Sequence, residues 1–266
     1  MSREMRRIRH VLKFRTLTVA SVQDLTAGLR RIVLEGSDLA GFVSPGFDDH
    51  VKIFPAADGQ APVLPTVGPD GPVFPEPRPV ARDYTPRAYD AARNQLTLDF
   101  VTGHGGPATE WAMAAKVGSL LGIGGPRGSF IVPTLFADHV LIGDETALSA
   151  IARRLEQLPA GVRAHAVIEV ADAGSRLDLE SEAEVTMTWA ARDGVPRGRD
   201  ETLLTAVKTA LRVVDPADAY VWIAAEAQVA KALRAQVLAM GFSPRAIKAA
   251  GYWRLGRAGG EKINLD

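Results

Sequence analysis

Near residues 135–138 the hydrophobic pattern of the chain changes period, and this constrains the fold more than any other feature. Upstream, short runs rich in Val, Ile, Leu, Thr and Phe lie near 11–20, 29–35, 50–55, 80–89, 95–102 and 119–124. Turn residues bound them, which is the signature of strands. RRIVLEG alternates before Gly36, and QLTLDFV alternates apolar with polar residues. One helix interrupts, over 107–118, opened by Pro107 and closed by Gly118. Downstream, apolar runs at 139–143, 163–170, 184–191 and 219–225 are interleaved with helical segments at 145–158, 200–212 and 226–240. A last strand is expected at 246–256. Strands alternating with helices imply βαβ units and a parallel sheet. The 266 residues therefore divide into an N-terminal antiparallel β-barrel, 1–136, and a C-terminal parallel-sheet α/β domain, 137–266.

One stretch fits neither pattern. Residues 61–80 hold seven prolines, each fixing φ and lacking a backbone donor, so this is an irregular excursion and not a central strand. Composition then removes whole classes of chemistry. There is no cysteine, hence no disulfide, thiol nucleophile or cysteine-ligated metal cluster. The five histidines are scattered without a metal-ligand spacing. Any redox chemistry must come from a bound organic cofactor or from a metal held by other ligands. Lys+Arg and Asp+Glu both number 31, which argues against a nucleic-acid partner. No apolar run approaches the roughly 20 residues a membrane helix needs. The start MSREMRRIRHVLKFR is basic but lacks the apolar core of a secretory signal. The cytoplasm is the expected location, a monomer the expected state, and the basic arm a solvated edge or terminal strand.

Several segments could carry chemistry. In Arg82-Asp83-Tyr84-Thr85-Pro86-Arg87, alternate strand residues share a face, so Arg82 and Tyr84 can act together. A guanidinium holds phosphate through two bonds, and a flat aromatic packs on a ring. Taken alone, the segment also reads as an ordinary half-exposed strand. Gly103-His104-Gly105-Gly106 leads into the helix at Pro107-Ala108-Thr109, where free N–H groups suit a pyrophosphate. A plain strand-to-helix turn is the alternative. Gly122-Ile123-Gly124-Gly125-Pro126-Arg127 fails the dinucleotide spacing, because Arg127 stands where the last glycine belongs and no long helix follows. Gly143-Asp144-Glu145-Thr146 joins a strand end to a helix start, where ligands bind in open parallel sheets. Tyr252 and Trp253 either cover a ring or fill a core.

Taken in order, DDHVKIF (48–54), RDYTPR (82–87), GPATEWA (106–112), GGPRGS (124–129), GDETAL (143–148) and GYWRLG (251–256) make the chain resemble the siderophore-interacting protein family. These are flavin-dependent ferric-siderophore reductases related to the ferredoxin reductases. The resemblance implies an FAD-binding barrel followed by an NAD(P)H-binding domain. It implies that Arg82, Tyr84 and Thr85 hold the flavin, that Arg82 or Arg87 meets phosphate, and that Ala108 and Thr109 present amides to the pyrophosphate. His50 and Lys52 would line the flavin pocket. Asp144, Glu145 and Thr146 would lie at the nicotinamide side, with Tyr252 and Trp253 also at the cofactors. Lys52, Arg127, Lys248 and Arg254 would attract an anionic ferric siderophore. The donor is NADPH or NADH; Arg176 and Arg192 are the basic residues available to a 2′-phosphate. The chain departs from the family at Ala225, where a glycine is usual. A ferredoxin- or flavodoxin-type reductase and a non-catalytic siderophore or flavin carrier are the competing readings.

Overall fold

The computed structural model describes residues 3–199, 201–256 and 263–265. They form two compact units, one of residues 5–131 and one from 132 onward that includes Arg3 and Glu4. In the first unit the elements are β1 (Arg6–Arg9), β2 (Phe14–Thr26), β3 (Leu29–Glu35), β4 (Val51–Pro55), β5 (Thr66–Gly68), β6 (Gly71–Val73), β7 (Arg82–Tyr84), β8 (Pro86–Asp90), β9 (Gln95–Val101), α1 (Pro107–Ala114), β10 (Leu120–Gly124) and β11 (Gly128–Ile131).

Seven of these strands make one antiparallel sheet in the order β7-β4-β10-β2-β3-β9-β8. The two edge strands, β7 and β8, are separated in sequence only by Thr85. The sheet must therefore curl until its edges nearly meet, giving a near-closed barrel with its seam at Thr85. This corrects the single strand expected at 80–89. Pro86 has no N–H to offer the β4 side, and after it the chain pairs with β9 instead. Leu17, Ile32, Leu34, Ile53, Leu96, Leu98 and Phe100 fill the barrel without solvent contact. Their period-2 placement, clearest in β9, made these strands visible in the sequence.

Three details refine the expectation. The helix ends at Ala114, because Ala115 turns to extended backbone and Gly118, at φ +91°, turns the chain into β10. The basic arm is a terminal strand, β1, whose partner β11 was not foreseen. Within the proline-rich excursion, β5 and β6 form a small hairpin of their own, outside the barrel sheet.

The second unit comprises β12 (Asp138–Gly143), α2 (Leu148–Gln157), β13 (Arg163–Val170), β14 (Glu184–Ala191), α3 (Glu201–Ala210), β15 (Ala219–Glu226), α4 (Ala227–Ala239), β16 (Ile247–Trp253) and β17 (Ile263–Asn264). The sheet order is β14-β13-β12-β15-β16-β17, with the first five strands parallel and β17 antiparallel. β12 and β15 are buried along their whole length, as strands covered on both faces are. The alternation is incomplete: only a 3-10 turn at Ala173–Ser175 lies between β13 and β14. The helix expected from residue 145 opens with a 3-10 turn, Glu145–Ala147, before α2. From β12 the chain first builds outward through β13 and β14, then returns to add β15 on the other side. The C-terminal end of β12 is thus the topological switch point, where open α/β sheets receive ligands. Among the described residues no helix is long and apolar enough to cross a membrane.

Candidate functional site

In the barrel, β4 and β7 bring Lys52, Arg82 and Tyr84 together, with His50 just before β4 and Thr85 just after β7. Register pairs Val51 with Tyr84, Lys52 with Asp83, and Ile53 with Arg82. Val51 and Ile53 are fully buried, so Tyr84 and Arg82 stand on the core-facing side. Tyr84 packs on Phe100 at 4.5 Å between ring centroids, and Phe100 packs on Trp111 of α1 at 5.6 Å. Burial pushes the Tyr84 phenol above its ordinary pKa, so it stays neutral. Thr85 is buried at the seam, and Arg87 is half-buried on β8. On the opposite face of the ribbon, Lys52 Nζ lies 2.9 Å from Asp83 Oδ1. His50 is exposed immediately before β4.

The start of α1 is open. Its N-cap is Gly106 at φ +130°, which carries no capping side chain. A Cβ built at Gly103, Gly105 or Gly106 would meet nothing within 4 Å. Ala108 and Thr109 sit buried in the first turn, and the Thr109 hydroxyl lies 3.1 Å from His104 Nδ1. A helix terminus with unclaimed amides and free space before it fits the pyrophosphate of FAD. Tyr84 and Arg82, both partly buried, are an aromatic ring and a cation of the kind such a cofactor would need.

The second unit gathers Asp144, Thr146 and Trp253 at the end of β12. Gly143 is required there, because a Cβ would strike Ala147 and the Ala224 carbonyl. The Asp144 carboxylate accepts from the Thr146 amide at 2.9 Å and hydroxyl at 2.5 Å, and from Trp253 Nε1 at 2.7 Å. Burial raises its pKa against the pull of Arg197 and these donors. Arg197 lies over the Trp253 ring, 4.4 Å from its centroid. Glu145 is bound by Arg192 at 2.6 Å, and Arg192 reaches Glu169 at 3.1 Å. Burial lifts Glu169 to about 7 although Arg192 opposes it. Arg192, tied to two carboxylates, is therefore committed within the fold, whereas Arg176 is exposed. Lys248 lies opposite Trp222 on β16, and Tyr252 meets Trp222 edge-on at 6.0 Å. Arg254 follows β16 and is half-buried. The methyl of Ala225 packs in the apolar core with Val221 and Ile223, so its extra carbon fills interior space.

Sequence reasoning missed Glu169 and Arg197, gave Glu226 no role, and took Arg192 as available to a 2′-phosphate without its two carboxylate partners. Glu226 is buried and caps α4, accepting from the Gln228 and Val229 amides at 2.5 and 3.2 Å. An acidic residue directly before a helix start was the available signal. The Arg192 pairs had none, because they join segments 23 and 47 residues apart. Among the described residues no group of three His, Asp or Glu side chains is placed to hold a metal.

Comparison with known proteins covers both units. The family model described as a siderophore-interacting FAD-binding domain matches residues 18–130, and the one described as siderophore-interacting protein matches 136–256. An NADPH-dependent ferric-chelate reductase of Escherichia coli (strain K12) is 40% identical over 252 residues, 93% of this chain and 95% of the relative. A ferric vibriobactin reductase of Vibrio cholerae is 34% identical over 173 residues, 64% of this chain and 63% of the relative. The crystal structure of a siderophore utilization protein from T. fusca superposes with a TM-score of 0.88 at 38% identity, covering 99% of each chain.

Proposed function

Because the chain belongs to the siderophore-interacting protein family, we propose that it reduces a ferric siderophore with electrons from NADPH through bound FAD. The observation that carries this reading is the barrel's open, glycine-capped helix terminus beside the Arg82-x-Tyr84-Thr85 strand. FAD, which Arg82, Tyr84, Thr85, Ala108 and Thr109 would hold, would supply the exchange between the two-electron donor NADPH and one-electron ferric acceptors. The protein's own task is then to bind, orient and attract. The Arg82 guanidinium pairs with phosphate, with Arg87 as the neighbouring cation. The amides of Ala108 and Thr109 donate to the pyrophosphate. Tyr84, held neutral, would pack against the flavin ring, with Thr85 and His50 as its neighbours in the pocket. Asp144 orders Thr146 and Trp253, and with Glu145 and Tyr252 these form the nucleotide-facing edge of the second unit.

No protein acid, base or nucleophile is needed for the electron transfer. Lys52 and Arg127 attract an anionic ferric chelate, and from the second unit we assign Lys248 and Arg254 the same task. Ferrous iron, lower in charge, is held more weakly by oxygen-rich chelators and leaves. A cytoplasmic site of action and a single-chain working unit fit a reductase that draws on NADPH and supplies all these groups itself.

The test is a visible spectrum of the purified protein under argon. Flavin bands should bleach with NADPH and return on adding a ferric catecholate, with ferrous iron caught by a chromogenic chelator. A protein that takes up no FAD, or whose reduced flavin ignores the ferric complex, overturns the reading. NADH in place of NADPH tests the donor.

A further inference from the structure

The barrel contains a buried polar cluster that neither the flavin nor the nucleotide reading uses. Its centre is the carboxylate of Asp49, buried just before β4. A single oxygen, Oδ2, accepts from Ser129 Oγ at 2.6 Å, from the Gly46 amide at 3.0 Å and from Ser44 Oγ at 3.1 Å. Ser129, itself buried on β11, gives its proton to Asp49 and so accepts at Oγ from His10 Nε2, at 2.8 Å. The three side chains come from positions 10, 49 and 129, so the cluster joins segments that the sequence keeps far apart.

Its position gives it a function. Lys52 lies three residues after Asp49, and register pairs Lys52 with Gly124 at the end of β10. There the chain leaves the barrel, turns through Gly125-Pro126-Arg127 and enters β11 at Gly128. The turn's backbone is tied at three points. The Gly125 amide donates to the Lys13 carbonyl at 3.0 Å, and the buried Arg15 guanidinium donates to the Gly125 carbonyl at 2.9 Å. The His10 amide donates to the Arg127 carbonyl at 3.0 Å. The Arg127 side chain is exposed. The Asp49–Ser129 bond then closes this loop across its mouth, two residues beyond Arg127 and three before Lys52.

We propose that the Asp49–Ser129–His10 chain is a positioning latch that fixes the spacing of Lys52 and Arg127, and through them the affinity for anionic ferric chelates. This rests on the assignment of those two cations to the substrate. A buried carboxylate with three donors on one oxygen costs free energy to dissolve, so it holds two backbone segments in one geometry. Two cations on a fixed frame meet a polyanion without first losing the freedom of the frame. The proposed function assigns neither Ser129 nor Asp49 to substrate or cofactor, and they act through the residues they hold.

The holoenzyme tests this with two substrates, an anionic ferric tris-catecholate and the neutral ferric complex of acetohydroxamate. Ser129→Ala should raise KM for the anionic complex about tenfold, the range for losing a hydrogen bond to a charged group, with kcat within about twofold. FAD content and the anaerobic rate of flavin reduction by NADPH should stay unchanged, as should KM for the neutral complex. Ser129→Thr, which keeps the hydroxyl, should restore KM. In a Lys52→Ala/Arg127→Ala background Ser129→Ala should add nothing, since the latch then has nothing to position. Should Ser129→Ala fail to fold, Asp49→Asn gives the same directional readout with the volume kept. If Lys52→Ala/Arg127→Ala raises KM but Ser129→Ala and Asp49→Asn do not, the latch is overturned and the substrate assignment stands. If Lys52→Ala/Arg127→Ala leaves KM unchanged, the substrate assignment itself fails and the latch falls with it.

Discussion

The N-terminus of α1 in the barrel contrasts with two helical starts in the second unit, the turn after β12 and α4. In the barrel, α1 begins at a glycine that caps nothing, with open space beyond it. In the parallel-sheet unit, the turn after β12 is capped by Asp144 and α4 by Glu226, both buried carboxylates that accept the first amides. A helix end carries partial positive charge whichever fold it sits in. Where the chain supplies its own anion, that charge is spent on stability. Where it does not, the charge is left for a ligand. The barrel is thus prepared for a phosphate group, and under the proposed function the second unit, closed after β12 and at α4, would engage NADPH through other groups. Under the proposed function this contrast would separate a tightly held cofactor from a substrate that comes and goes.

The sharpest way to break the comparison is to remove the barrel's anion partner. Arg82→Ala should weaken FAD binding about 10- to 100-fold, the range for losing a charge-assisted bond to phosphate. Equilibrium dialysis or fluorescence titration of the apoprotein with FAD measures this. Full retention of flavin would mean that α1 alone holds the pyrophosphate and that Arg82, whose Nη1 also donates to the Ala81 carbonyl at 2.8 Å, serves the barrel seam.

A smaller effect is expected where the helix end is already closed. Glu226→Ala removes the acceptor for Gln228, Val229 and, at 3.1 Å, the Leu255 amide. Loss of a cap costs about 1–2 kcal/mol, so the melting temperature should fall by a few degrees while FAD affinity is unchanged. An unchanged melting temperature with a tenfold higher KM for NADPH would show instead that this carboxylate faces the nucleotide, and the contrast between the two units would collapse.

How far the sequence carries such an argument depends on range. The alternation in β9 and the continuous apolar runs of β12 and β15 are local, and each exposes its own fold class. Arg82, Tyr84 and Thr85 were legible as a group because they are consecutive on the strand and seam. The seam itself was not, since nothing local says that β7 and β8 lie on opposite edges of one sheet. The pairing of β1 with β11 joins residues more than a hundred positions apart, and with it the Ser129–His10 contact was invisible. Arg192 was read as a candidate for a 2′-phosphate because its two carboxylate partners come from other strands' ends. Charge in a sequence is a count; whether it is free is a property of the fold.

Lys52 puts that last distinction to its finest test. Its ammonium is about one-third exposed and sits 2.9 Å from Asp83 Oδ1, a pair on the outer face of the β4–β7 ribbon. If Lys52 serves an anionic chelate, Asp83 competes with the substrate for it. A half-exposed pair of this kind contributes about 0.2–1 kcal/mol. Asp83→Asn should therefore lower KM for an anionic ferric catecholate by a factor of about two to five, with kcat and FAD content unchanged. The gain should shrink as salt is raised, because screening weakens the attraction of the released ammonium for the chelate. A KM that rises instead would mean that Asp83 aims the ammonium and does not compete for it, placing Asp83 beside Ser129 among the residues that hold the barrel's cations in position.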